Sequence, residues 1–384
     1  MVLIFGDTHI GYKFYNDSFD SNTNMFPSEL DCYNVLDEVY HRASKDDIEL
    51  VIHTGDVFHT PTPTTKNISK VIEWLKKMSA LNKPVYIITG NHDVSLYSNS
   101  LVYIHNLELP NIYLLDSQKY LKYTIKYHDW SIVFVPYVID TSTLDKDLLC
   151  RTSVQEILAN PVSEKQIIVT HIQESSCVRG SEGTLISHSV PVLEVDTTPD
   201  YSTSIILSGH IHYGQVYQKK NAIVMYPGSA ISMDFSDINQ IKSYLLLSPD
   251  GSYTIESFNT IRKFKSIVVP DNVDNIVEYL AKIRLIPNSV YFILIPSTQV
   301  ADRKAIKELL ESRKVFLGDI RFVNSVDKFS ESLISETSIS ESLNYTEILE
   351  EYINGLDVQK FSLSNNDKNS LLSLGLDYLN QCMK

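Results

Sequence analysis

The sequence predicts an α/β fold: a sandwich of mostly mixed β-sheets flanked by helices, then a small α/β unit and a C-terminal helical pair. Three observations carry this. ELVIHTGD (49–56), KPVYIITGNHD (83–93), QIIVTH (166–171) and SIILSGHIH (204–212) are apolar, β-rich runs that read as buried strands ending in polar residues. Between the first two, Ile68, Val71, Ile72, Leu75 and Met78 recur at helical spacing, as an amphipathic crossover helix requires. From residue 261 the alternation restarts on a smaller scale.

The elements follow in order. VLIF (2–5) is a first strand. YTIKYHDWSIVFVPYV (123–138) and YLLLSPDGSYTIESF (244–258) pattern as antiparallel pairs, the second around a Pro-Asp-Gly turn. KFKSIVVP, a helix near 272–284, VYFILIPS (290–297), a helix near 301–314 and DIRFVN (319–324) make a βαβαβ unit. SESLISETSISES (330–342) is Ser- and Glu-rich without periodicity and reads as a linker. Beyond it Tyr345, Ile348, Leu349, Tyr352, Ile353 and Leu356 form one apolar stripe, opened by a capping pair of Asn344 and Glu347. A second helix runs from about Asp367 to Cys382. The predicted domains are 1–260, 261–326, a linker 327–342 and a helical module 343–384. The module reads as a hairpin packed on its own body or as a tethered partner-binding element; the linker favours the second.

The 384 residues are 43% hydrophobic and 21% charged, the composition of a soluble globular protein. No apolar run approaches the roughly 18–20 residues of a membrane span, and no signal peptide is visible. Cys32, Cys150, Cys177 and Cys382 are far apart and form no C-x-x-C, which fits a reducing cytosol. The net charge of −14 argues against nucleic-acid binding through a global positive field. Residues 327–384 hold ten Asp or Glu and four Lys, a net of −6, which leaves −8 on 1–326. A DNA substrate would need a local site, metal ions or a partner.

Five strand ends carry the chemistry: DTH (Asp7, His9), GDVFH (Asp56, His59), GNHD (Asn91, His92, Asp93), TH (His171) and GHIH (His210, His212). In open α/β sheets such ends form the crevice where sites assemble, so residues about 200 positions apart can converge. Asp7 and His9, two apart on a strand, would share a face. Carboxylate, imidazole and amide oxygen suit Mn, Fe or Zn, and Asp56 is the natural bridge between two ions. His41, His53, His105, His128 and His188 read as structural or surface residues. Each motif alone has a bland reading as a loop or a core histidine; the ordered set of five does not.

That ordered set resembles the calcineurin-like metallophosphoesterase family over about residues 1–260, and DTHIGY and GDVFHTPTP look like its SbcD nuclease subfamily. The resemblance implies a metallophosphoesterase β-sandwich flanked by helices, with an α/β capping domain. It implies one divalent ion on Asp7, His9, Asp56 and His212 and another on Asp56, Asn91, His171 and His210, with Mn²⁺ the preferred metal and Mg²⁺ possible. It implies His92 as general acid aided by Asp93, and His59 as the residue that turns a DNA phosphate into the site. The stretch YPGSAISMDF (226–235) matches the nucleases' PGS turn, where Gly228 and Ser229 would face a phosphate oxygen. Beside the ligands, Tyr12 and Lys13 are placed to touch DNA; Arg262, Lys263 and Lys265 read as a DNA-backbone contact or a solvated strand edge. Residues 172–203 match the family's usual loop only loosely.

By the same resemblance the chain is a cytoplasmic DNA exonuclease and endonuclease in repair or recombination. It would dimerise through helices near 62–81 and 95–106 and bind an SbcC-type coiled-coil ATPase through the terminal helices. Two rivals stand beside it: a small-molecule phosphodiesterase or phosphatase on the same metal core, and a non-catalytic scaffold that recruits partners through its tail.

Overall fold

The computed structural model describes residues 1–20, 23–105, 107–116, 122–139, 148–184, 192–195 and 203–323. The predicted linker, the terminal module with Tyr345, Ile348, Leu349, Tyr352, Ile353 and Leu356, His188 and Cys382 lie outside them.

In chain order the first half gives β1 (Val2–Phe5), α1 (Pro27–Ala43), β2 (Leu50–His53), α2 (Thr65–Ser79), β3 (Val85–Ile88), α3 (Val102–His105) and β4 (Ile112–Leu115). It continues with β5 (Tyr123–Tyr127), β6 (Trp130–Phe134), α4 (Leu148–Ala159), β7 (Lys165–Thr170) and β8 (Thr203–Ser208). Then come β9 (Gln215–Lys219), β10 (Ala222–Tyr226), β11 (Ser243–Leu247) and β12 (Tyr253–Ser257). The last group is β13 (Lys263–Val268), α5 (Ile276–Lys282), β14 (Ser289–Pro296), α6 (Arg303–Ser312) and β15 (Phe316–Val323).

Two six-stranded mixed sheets form the body, ordered β12-β11-β1-β2-β3-β4 and β5-β6-β7-β8-β10-β9. β1 to β4 run parallel, as do β6, β7, β8 and β10, whereas β5/β6 and β11/β12 are antiparallel as their patterns predict. The inner layer packs Val2, Ile4, Ile52 and Ile88 against Phe134, Val169 and Leu207. Leu3, Phe5, Val51 and Ile87 point the other way, onto Val35, Leu36, Trp74 and Leu75 of α1 and α2. Val133, Ile168 and Ile206 likewise meet Val154, Ile157 and Leu158 of α4. Strands covered on both faces run apolar without alternation, as VLIF and the Ile167–Val169 stretch of β7 do.

α2 starts where the Thr64 side chain accepts the Asn67 N–H at 3.3 Å, and its buried Val71, Trp74, Leu75 and Met78 face β1 to β4. The second predicted dimer helix, 95–106, is helical only at Val102–His105.

β13, β14 and β15 form a separate parallel sheet. One face packs on Leu280, Ile306 and Leu310 of its helices. The other puts Phe264 and Phe292 against Phe14 and Ile238 of the body. This three-stranded unit is therefore seated on the chain that leaves the Asp7 and His9 loop.

Candidate metal centre

β1 ends at Phe5, so Asp7 and His9 are not strand residues sharing a face, as their spacing predicts. Both lie in the left-handed region, at φ +48° and +43°, as do Asp56 (+55°) and His210 (+82°). Each such residue costs on the order of 1–3 kcal/mol and persists only where its surroundings hold it. Here they do: Asp7 N donates to Gly55 O at 3.0 Å, His9 N to Asp56 O at 3.1 Å, and His210 N to Asp7 Oδ1 at 2.9 Å. The curled loops bring both ligand pairs to one point.

The donors converge. His9 Nε2 and His212 Nε2 lie 3.1 Å apart, and His9 Nε2 lies 3.7 Å from Asp56 Oδ2. His171 Nε2 is 3.3 Å from the same Asp56 oxygen and 2.9 Å from Asn91 Oδ1, which is also 2.8 Å from His210 Nδ1. Asp56 Oδ2 thus stands between the two groups the resemblance assigns to separate ions. Asp7, His9 and His212 are close enough to share one cation, and so are Asp7, Asp56 and His171.

These residues fit a pair of cations. Asp7 Oδ2 is buried and has no hydrogen-bond partner. Lone pairs of several buried groups face one another, an arrangement that positive charge resolves. Burial pushes the Asp7 carboxyl well up and the His9 and His212 imidazoles well down. Burial opposes it, yet Asp56 and Asp7 hold His171 up to about 9, so an ion binding there displaces a proton. His171 Nδ1 donates to Thr54 O at 2.8 Å, which leaves Nε2 as the ligating atom.

Glycine precedes Asp7, Asp56, Asn91 and His210. A Cβ on Gly90 would lie 2.2 Å from Asp56 Oδ1 and 2.7 Å from His171 Cε1; on Gly55, at φ +104°, it would lie 2.5 Å from His171 Nδ1. Only glycine lets the strand ends approach this closely.

His92 is half-buried beside the cluster. Its Nδ1 donates to His59 O at 2.9 Å and its backbone N–H to Asp56 Oδ1 at 2.8 Å. Nε2 is left as the working atom. The His59 ring stacks on His92 at 5.4 Å, and burial takes its imidazole down to about 4.

A family model for the calcineurin-like phosphoesterases matches residues 1–214, more than half of the chain. The protein belongs to the calcineurin-like phosphoesterase family. It is a metal-dependent phosphoesterase. Among curated relatives, the DNA double-strand break repair protein Mre11 of Saccharolobus solfataricus is 28% identical over 172 residues, 44% of this chain and 40% of that protein. Mre11 of Methanococcus maripaludis is 24% identical over 389 residues, 95% of each. The SbcD component of the nuclease SbcCD of Staphylococcus epidermidis is 22% identical over 368 residues, 89% of this chain and 92% of that protein. The alignment thus spans less than half of the first relative and nearly all of the other two.

Within this phosphoesterase three sequence expectations need correction. The Asp93 carboxylate is turned to other partners than the His92 ring: its oxygens accept from the Val57, Phe58 and Gly90 N–H groups and Ser100 Oγ at 3.0–3.1 Å, so it braces the GD and GN loops. The PGS turn is not an open surface turn. Gly228 and Ser229 are buried; Ser229 N donates to His212 O, and its hydroxyl lies between Ile231 O and Lys242 Nζ. Arg262 is 3% exposed and chelated by Asp17 and Asp31, so it is no surface cation. Lys13 and Lys263 are exposed; Tyr12 packs edge-on against His59 and donates its hydroxyl to Met233 O.

Sequence reasoning missed Ser181 and Glu182, in a short aperiodic stretch (RGSEGT) between histidine motifs. Ser181 Oγ meets His212 Nδ1 at 2.6 Å, and Glu182 accepts the Gly180 and His212 N–H groups at 2.6 and 2.7 Å. The Ser181 hydroxyl occupies Nδ1, which leaves Nε2 as the ligand atom. Ser181→Ala should therefore weaken metal affinity about 10–100-fold. Calorimetric Mn²⁺ titration reads this directly; unchanged affinity would remove Ser181 from the centre.

Proposed function

We propose that this phosphoesterase is the nuclease subunit of an SbcCD-type machine that hydrolyses DNA phosphodiester bonds at ends, single strands and hairpins. The observation that carries it is the alignment with one DNA double-strand break repair protein over 95% of both chains, on top of the Asp and His clusters that could hold metal ions.

Asp7, His9, Asp56 and His212 would hold one ion, and Asp56, Asn91, His171 and His210 the other, Mn²⁺ first among candidates. Bound there, a pair of ions would supply Lewis acidity toward water and the phosphoryl oxygens. The chain's own residues do the rest. His59 O pins His92 Nδ1–H, so Nε2 faces the substrate and carries the proton given to the departing 3′-oxygen. His59 stacks on that ring and limits how it turns. Lys13 and Lys263 are exposed cations for the strand. Residues 261–323 hold eleven Lys or Arg and seven Asp or Glu, so the capping unit is positive on a chain of −14.

Leu96, Tyr97, Val102 and Tyr103 are exposed around α3 and support a homodimer through α2 and α3. Among the described residues no helix is long and apolar enough to cross a membrane. We assign the chain to the cytoplasm and residues 343–384 to binding a coiled-coil ATPase.

The test is purified protein with Mn²⁺ on end-labelled duplex DNA and on bis-p-nitrophenyl phosphate, with and without the co-purified ATPase. His92→Ala should lower DNA cleavage about 10²–10⁴-fold while metal content holds. Cleavage of the small diester alone, even with the ATPase present, would replace the nuclease with a small-molecule phosphodiesterase. No metal-dependent turnover of either substrate would favour a scaffold.

A further inference from the structure

The loop after β7 carries a guanidinium that the chemistry above does not use. Arg179 is half-buried. With the Gln173 amide turned so that its oxygen faces the guanidinium, that oxygen accepts from Arg179 Nε and Nη2, both at 3.1 Å. Gln173 is buried and lies two residues after His171.

On the other side the chain is pressed against His212. Gly180 is buried, and a Cβ there would lie 2.8 Å from Tyr213 N and 3.1 Å from His212 Cβ. Ser181 and Glu182 then bond the His212 ring and backbone. Arg179 is thus held between the segments that present His171 and His212. Its charge is felt at the His210 imidazole. Among the described residues its hydrogen bonds go to Gln173 and to no ligand side chain, so it stands beside the cluster and not within it. Among the described residues no carboxylate pairs with it.

A guanidinium partly withdrawn from water and given only a neutral amide is poorly compensated. Gln173 takes one hydrogen from each of Nε and Nη2, which leaves three of the five donors, including both on Nη1. Such a fork matches the oxygens of a phosphate.

We propose that Arg179, oriented by Gln173, binds the phosphate next to the scissile one on a nucleic-acid strand. The inference rests on the nuclease reading. A substrate with one phosphate fills the ion cluster alone; one with consecutive phosphates reaches both positions. Arg179 therefore acts in specificity, favouring polynucleotides over small diesters.

The full-length protein is assayed with saturating Mn²⁺ as wild type, Arg179→Ala and Arg179→Lys. Substrates are a labelled single-stranded oligonucleotide and bis-p-nitrophenyl phosphate, and oligonucleotide binding is read by fluorescence anisotropy with Ca²⁺ in place of Mn²⁺. Arg179→Ala should lower the ratio of kcat/KM on the oligonucleotide to that on the small diester about 10–100-fold, mainly through KM. The slope of log affinity against log salt should fall by about 0.7. Arg179→Lys keeps the charge without the fork and should fall between the two. Equal losses on both substrates would overturn the proposal, since Arg179 would then act through the metal centre. So would an oligonucleotide bound and cut alike by wild type and variant. Wild type that neither binds nor cuts the oligonucleotide, while turning over the small diester, would remove the nuclease reading and this one together.

Discussion

Asp56→Asn is expected to abolish hydrolysis, by more than about 10⁴-fold, while the metal-free protein stays folded. Asp56 Oδ2 is the oxygen that faces both His9 and His171, so its charge serves both ion positions. A change at Asn91 or His212 weakens one group of donors; a change at Asp56 weakens both. Asparagine has nearly the same shape and keeps an Oδ1 to accept the His92 N–H, so the metal-free chain should still fold, less stable by the loss of the buried Asp56–His171 ion pair. The contrast shows on adding Mn²⁺. Wild type should gain about 2.7 kcal/mol per site at roughly 100 times its dissociation constant, and the variant far less. Thermal melts with and without Mn²⁺, together with metal content by mass spectrometry, measure this. A variant that retains both ions and the wild-type melting shift would show that Asp56 is not the bridge.

Much of this centre was legible because its ligands obey a local rule. Four of them follow a glycine at the end of an apolar run, since the strand ends must approach closely and the ligand must turn out of line. The sheets were legible for a similar reason: VLIF and the Ile-Ile-Val of β7 are unbroken apolar runs because both faces are covered. What stayed hidden depends on encounters far along the chain. Asp93 sits beside His92 in sequence, but its acceptors were claimed by backbone N–H groups of the 57–58 loop. Ser229 reads as a phosphate-facing turn until Lys242 Nζ, buried and also 2.5 Å from Asp237 Oδ1, takes its hydroxyl. Ser181 has no periodicity around it to announce its bond to His212.

The largest stability effect should come from Arg262, which the sequence places in a basic run with Lys263 and Lys265. The fold separates them. Lys263 is exposed, whereas Arg262 donates from Nε to Asp31 Oδ2 at 2.6 Å and from Nη1 and Nη2 to Asp17 at 2.7 and 3.2 Å. The side chains of Arg262, Asp17 and Asp31 are 3%, 2% and 10% exposed, and the guanidinium stacks on Phe316 at 4.9 Å. Arg262→Met fills a similar volume but strands two carboxylates in the interior, at a cost of about 3–5 kcal/mol. Removing both charges as well, in Arg262→Met/Asp17→Asn/Asp31→Asn, should recover most of that loss, because the penalty lies in the unpaired charge. Lys263→Met should shift stability by no more than about 0.5 kcal/mol. Urea unfolding of the four proteins distinguishes these cases, and wild-type stability in Arg262→Met would show that the network contributes little. The location gives the result a functional edge. Asp17 also accepts the Ser28 N–H, and Ser28 Oγ accepts the Phe14 N–H, beside the Phe264 and Phe292 rings on which the capping unit rests. Losing Arg262 therefore loosens the cap at its seat, next to the loop that carries Asp7 and His9. Limited proteolysis should release the capping unit before the body is cut, and DNA cleavage should fall more than turnover of the small diester.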